Sequence, residues 1–168
     1  MNGKFFFLLS GAAFLTILSL TGFTPRPFAH PVQSASAGIR CQPAPAAEDP
    51  WKASQLLAPA DLANTINDPK AQQPLIFCVG PGALIKGSID VGPARDSANL
   101  NKFKLRLSQL PKDATIVIYC GCCPFDHCPN IRPAFTLLNE MKFTHHKLLN
   151  LEHNIRTDWI NKGYPVTP

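Results

Sequence analysis

The stretch TIVIYCGCCPFDHCPN, residues 115–130, decides the fold. Its first five residues form an apolar, β-branched run that is typical of a buried strand. Four cysteines follow within nine residues, at positions 120, 122, 123 and 128, and a helical pattern opens near Asn130. Strand, loop and helix in this order predict an α/β domain that presents reactive groups at the carboxyl end of a strand.

Strands and helices alternate on both sides of this stretch. Helices are predicted from residue 59, over 99–110, from 131 to 141 and around 158–161; strands are predicted at 56–57, 75–79, 115–119 and 147–151. Residues 87–93 are predicted to form a loop and turn. This alternation indicates an α/β domain of three layers, with a mainly parallel central sheet flanked by helices.

The first 37 residues are predicted to be a secretory signal. Lys4 precedes a mostly apolar run from residue 5 to 20, and Ala35 and Ala37 form an A-x-A-like cleavage site. Residues 38–50 are rich in proline and alanine and are predicted to be a linker, so the folded domain is expected over 51–168. The protein is therefore predicted to be exported, periplasmic or secreted, and an uncleaved signal would tether it to the membrane.

The charge of the chain is modest. The formal net charge is +5, and it falls to +3 without residues 1–37, because Lys4 and Arg26 are the only charged residues there. So small and dispersed a charge argues against nucleic acid as a partner and suits a small anionic substrate. The sequence predicts no oligomeric state.

Three segments resemble the rhodanese-like domain family, over roughly residues 51–166. They are residues 116–120 with the loop and helix that follow, residues 87–94, and the ending WINKGYPV at 159–166. The resemblance implies that Cys120 accepts a sulfane sulfur, becomes a persulfide and passes the sulfur to a thiol or to cyanide. It implies no cofactor, and the partners would be a small sulfur-containing anion and a thiol acceptor.

The loop after Cys120 is longer than the family's usual active-site loop of about six residues. The family often has Asp-x-Arg where this chain has Cys78-Val79-Gly80, and Arg132 lies twelve positions after Cys120. The candidate loop residues are Gly121, Cys122, Cys123, Phe125, His127, Cys128 and Arg132.

Each group in this loop has an expected role. Cys120 is expected to be an accessible thiolate, because a helix N-terminus and nearby cations lower a thiol pKa. Loop amides would stabilise the developing charge. Arg132 and His127 are placed to add positive charge, and Arg132 could hold a sulfite or sulfonate group. Phe125 would shield the site or contact the substrate.

Two other functions use the same cysteines. A Cys-x-x-Cys spacing begins at Cys120, and Cys128 is a candidate resolving thiol for redox chemistry. Alternatively, Cys122, Cys123, His127 and Cys128 would bind zinc or copper without catalysis, because soft sulfur ligands select these metals. Cys78 lies in an apolar strand and is expected to be an inert buried thiol.

Overall fold

The computed structural model describes residues 48–168. The predicted signal and nearly all of the predicted linker lie outside the described residues and stay predictions. Among the described residues, no helix is both long and apolar enough to cross a membrane. The strands are β1 (Leu56–Leu57), β2 (Leu75–Cys78), β3 (Ile89–Asp90), β4 (Ile116–Tyr119) and β5 (His146–Leu149). The helices are α1 (Pro59–Asn67), α2 (Ser97–Leu107), α3 (Ile131–Glu140) and α4 (Ile155–Asp158), with short 3-10 helices at Ala53–Gln55, Phe125–His127 and Ile160–Lys162.

The five strands form one parallel sheet in the order β1-β5-β4-β2-β3. Strand β4 lies at its centre, with Leu75 of β2 in register with Ile116 on one side and His146 of β5 in register with Ile116 on the other. The predicted α/β class, with a parallel sheet between helices, is confirmed.

Side chains of the central strands alternate between two cores. Ile116 and Ile118 of β4 pack on one face with residues of α2 and α3. Val117 and Tyr119 pack on the other face with α1 and with Trp159, which follows α4. Because successive side chains of a strand point to opposite faces, Cys120 continues the face of Ile116 and Ile118 and packs in their core.

The stretch predicted as loop and turn at residues 87–93 contains strand β3. The prediction was wrong here because β3 has only two residues and none of the apolar periodicity of the other strands. Its pairing with β2 is extended by the Val91 amide, which donates to the Cys78 carbonyl at 2.9 Å. The Tyr119 hydroxyl holds the segment that precedes β3 by accepting from the Leu84 amide at 3.0 Å and the Ile85 amide at 3.2 Å.

Two helices begin earlier than predicted because polar side chains cap them. The Asp96 carboxylate accepts from the Ala98 amide at 2.9 Å, so α2 starts at Ser97. The Asn154 side chain accepts from the Thr157 amide at 3.0 Å, so α4 precedes the helix predicted around 158–161. The ending at 159–166 folds back on itself, with the Trp159 indole donating to the Pro165 carbonyl at 2.9 Å.

Candidate functional site

Cys120 follows the central strand β4 directly and lies ten residues before Asn130, the N-cap residue of α3. The strand therefore delivers its sulfur to the carboxyl edge of the sheet, as predicted. However, only 1% of Cys120 is exposed to solvent. The expectation of an accessible thiol was wrong, because the enlarged loop covers the end of the strand.

Three sulfur atoms lie together at this edge. The Sγ atoms of Cys120, Cys122 and Cys128 all lie within 4.8 Å of one another, and those of Cys120 and Cys122 are 3.2 Å apart. Cys128 is as buried as Cys120, whereas Cys122 is exposed. Cys122 is thus the member of the cluster that meets solvent.

Hydrogen-bond donors surround the sulfur of Cys120. They are the Cys128 thiol, whose sulfur lies within 4.8 Å, the backbone amide of Cys122 and its thiol, whose sulfur is 3.2 Å away, and the side-chain amide of Asn130, whose Nδ2 is 3.6 Å away. Together they outweigh burial and lower the pKa of Cys120 to about 5. The lowered pKa favours the expected thiolate at neutral pH, and thiols, a backbone amide and one amide side chain stabilise it, rather than the cations that the sequence suggested.

The neighbouring thiols shift in the opposite direction. Burial and the hydrogen bond to Cys120 raise the pKa of Cys122 to about 12. The hydrogen bond to Cys120 and burial also raise the pKa of Cys128. These opposite shifts favour the charge on Cys120 and neutral thiols on Cys122 and Cys128.

Gly80 lies directly against the Cys120 sulfur. A Cβ atom at Gly80 would lie only 2.4 Å from the Cys120 sulfur. Gly80 follows β2, the neighbour of β4, so the absence of its side chain is what leaves room for the sulfur. Gly121 meets a similar constraint, because a Cβ there would lie 2.8 Å from Cβ of Ile155.

Arg132 points away from the cluster. It pairs with Asp49, donates to the Asp126 carbonyl at 3.0 Å, and lies 5.1 Å from the centre of the Trp51 ring. The Phe125 ring lies 6.0 Å from the same tryptophan. Arg132 and Phe125 therefore hold the loop against the segment around Trp51. The sequence analysis instead expected Arg132 to bind a substrate anion, and Phe125 to shield the site or contact the substrate.

His127 also lies apart from the sulfurs. Its side chain is 81% exposed, and its Nδ1 contacts Asp126 at 2.8 Å. The proposed metal set of Cys122, Cys123, His127 and Cys128 therefore differs from the observed cluster, which includes Cys120 and excludes His127. Cys123 lies at the margin, with its sulfur 3.3 Å from that of Cys122.

Two residues of the site were missed from the sequence. Asn130 is 4% exposed and uses both ends of its amide, donating to Cys120 and accepting from the Arg95 amide at 3.2 Å. Its position before a helix is a signal for capping, not for contact with a thiolate. Gly80 was noted only as a departure from Asp-x-Arg, and nothing in the local sequence indicates its contact with Cys120.

Comparisons with known proteins address the fold. No protein-family model matches this chain, and a search of curated proteins finds no match. Two solved structures of EanB variants in complex with hercynine each give a TM-score of 0.50, with 17% and 18% identity. They cover 71% of this chain, which spans only 29% of the EanB chain.

The likeness to EanB supports the α/β fold alone. The chemistry of the site rests on the cysteine cluster, which fits cysteine-based sulfur chemistry or the binding of a soft metal.

Proposed function

We propose that the protein transfers sulfane sulfur through a persulfide on Cys120, as its resemblance to rhodanese-like domains implies. The observation that carries this proposal is the position of the Cys120 sulfur directly after β4, within 4.8 Å of two other cysteine sulfurs. The donors around it lower the pKa of Cys120 to about 5, which supports its role as the nucleophile. A sulfur acceptor has to be a thiolate, because the thiolate is the nucleophile. Cys120 is the thiolate of this cluster, at the strand end where α/β folds bind their ligands.

The transfer has two balanced steps. The Cys120 thiolate attacks the outer sulfur of a donor such as thiosulfate, the donor's S–S bond breaks, and sulfite leaves with the electron pair. An acceptor thiolate or cyanide then attacks the outer persulfide sulfur and regenerates the Cys120 thiolate. The Cys122 amide and the Asn130 side chain, which donate to the thiolate, would stay close to the charge in both steps.

In this proposal the sulfur donor reaches Cys120 from the side of Cys122. Cys122 is exposed and its sulfur lies 3.2 Å from that of Cys120. A cysteine side chain has one rotatable bond, so a change of rotamer carries its sulfur to another staggered position. We therefore propose that the Cys122 side chain rotates away from Cys120, and that a small anionic sulfur donor then occupies the position its sulfur has left.

Cys120→Ser tests the proposal in an assay with thiosulfate and cyanide. We expect its activity to fall to the uncatalysed rate, because serine does not ionise at neutral pH. Cys78→Ala is the matched control, since Cys78 is a buried cysteine on the opposite face of the sheet, with its thiol directed to the Gly82 carbonyl at 3.3 Å. Equal activity of Cys120→Ser and wild type would refute the assignment.

Intact mass supplies a second readout. After incubation with thiosulfate, wild type should gain the mass of one sulfur atom, and a thiol reductant should remove it. Oxidation to a sulfinic acid adds a similar mass but resists thiol reductants. A gain that persists after reduction would count against the persulfide.

Export is a separate part of the proposal. The apolar run after Lys4 and the small residues Ala35 and Ala37 support a cleaved signal. N-terminal sequencing of exported protein should begin at Gly38, whereas recovery of Met1 from membranes would indicate an uncleaved anchor.

A further inference from the structure

The three clustered sulfurs suggest a second ligand for the site. We propose that Cys120, Cys122 and Cys128 bind a cuprous ion. Among the described residues, these three form a group of potential metal ligands whose donor atoms all lie within 4.8 Å of one another. This binding function stands apart from sulfur transfer and does not depend on it.

The spacing suits a metal bound by three thiolates. Metal–sulfur bonds of about 2.3 Å place the sulfurs of a trigonal site about 4.0 Å apart. The Cys120 and Cys122 sulfurs are 3.2 Å apart, and all three sulfurs lie within 4.8 Å of one another. Rotation of the exposed Cys122 side chain changes its distance to Cys120, so a separation near 4.0 Å can be reached at the side chain.

The donor set favours cuprous ion over zinc. The group contains three sulfurs and neither a histidine nor a carboxylate. Structural zinc is almost always tetrahedral with four protein ligands, whereas soft thiolates select cuprous ion, which accepts three-coordinate sites. Of the other two residues in the set expected from the sequence, Cys123 lies outside the group of three, although its sulfur is 3.3 Å from that of Cys122, and His127 contacts Asp126.

The surroundings complete the site. Cys120 and Cys128 are each 1% exposed, so two ligands are buried, and the exposed Cys122 is the ligand that an ion from solvent meets first. The Asn130 amide donates to the Cys120 sulfur at 3.6 Å, which is the kind of outer contact that orients metal ligands. Binding releases the thiol protons of Cys122 and Cys128 to water.

Competition for copper tests the site. The reduced full-length chain, kept anaerobic, is titrated with cuprous ion against bathocuproine disulfonate. We expect one ion per chain. Removing an outer contact typically costs about 10- to 100-fold in affinity, so removing a ligand in Cys122→Ser or Cys128→Ser should cost at least that much. Cys122 is exposed, so its variant is expected to fold even if the buried variants do not.

Cys78→Ala is the control, because Cys78 packs in the core on the opposite face of the sheet and lies outside the group of three. It should bind copper as wild type does. Failure of wild type to compete with the chelator, an equal loss in Cys78→Ala, or displacement of copper by equimolar zinc would each overturn the proposal. Sulfur transfer is measured on metal-free protein, so an absence of sulfur transfer does not change the interpretation of the copper titration.

Discussion

Substituting Gly80 by alanine should separate the sulfur of Cys120 from its donors. The new Cβ atom would lie 2.4 Å from that sulfur, and ordinary contact begins at 3.4 Å, so the sulfur has to move by about 1 Å. Such overpacking typically costs about 1–3 kcal/mol of unfolding free energy. A sulfur displaced by this much no longer keeps its present distances to the Cys122 thiol, 3.2 Å, and to the Asn130 amide, 3.6 Å, so we expect the pKa of Cys120 to rise from about 5 toward the ordinary ~8.5.

Thiolate absorbance in the ultraviolet follows this change without requiring a reagent to reach the buried sulfur. Reduced wild type should show one thiolate titrating near pH 5, and this step should be absent from Gly80→Ala. Gly92→Ala is the control, because its Cβ would also be crowded, 2.9 Å from Asn99, in a backbone with φ of +82°, yet it leaves Cys120 alone. Persistence of the step in Gly80→Ala would refute the account of how Cys120 is ionised.

Three further predictions concern the surroundings of Cys120. Asn130→Ala should raise the pKa of Cys120, because it removes a donor to the sulfur, and should lower the free energy of unfolding by about 1–3 kcal/mol, because it leaves the Arg95 amide without its acceptor. Thiolate absorbance measures the first effect and denaturant unfolding the second. An unchanged pKa would show that Asn130 does not stabilise the thiolate. The free energy of unfolding of reduced wild type should rise with pH between about 5 and 8.5, and more steeply than that of Cys120→Ser. The reason is that, in this range, the Cys120 thiol binds a proton in the unfolded chain but not in the folded protein. Equal slopes in denaturant titrations at several pH values would contradict the lowered pKa. Arg132→Ala should lower the free energy of unfolding by at most about 1 kcal/mol, because the ion pair of Arg132 with Asp49 is partly exposed. It should leave the KM for thiosulfate unchanged, because Arg132 contacts Asp49 and not the cysteine cluster. A large rise in KM would show that Arg132 contacts the substrate after all.

The central sheet was predictable because its signals are local. Residues 115–119 are apolar and β-branched, and such a run has few alternatives to a buried strand. The helix from Ile131 has its apolar residues on one face, which fixes both its type and its contact with the sheet. Strand β3 carries no such signal, because two residues cannot show a period and its pairing with β2 sets its conformation.

The cysteine cluster was only partly predictable, for a similar reason. Cysteines within nine residues of one loop have to lie near one another, so their proximity follows from the sequence. The burial of Cys120 does not, because its sulfur also packs in a core with residues distant in the sequence and occupies space left free by Gly80, forty residues earlier. The direction of Arg132 likewise depends on distant partners, Asp49 and Trp51, which no local pattern connects to the loop.

In the enlarged loop, thiols take the place of the expected arginine in stabilising the Cys120 thiolate. Burial alone would raise the pKa of Cys120, and the expected arginine is engaged elsewhere, so the charge depends on thiols that donate from Cys128 and Cys122. A thiol that enters a disulfide or binds a metal no longer donates a hydrogen bond. The nucleophilicity of Cys120 is therefore tied to the reduced, metal-free state of its two neighbours, and sulfur transfer and copper binding exclude each other at one cluster because both require the same sulfur.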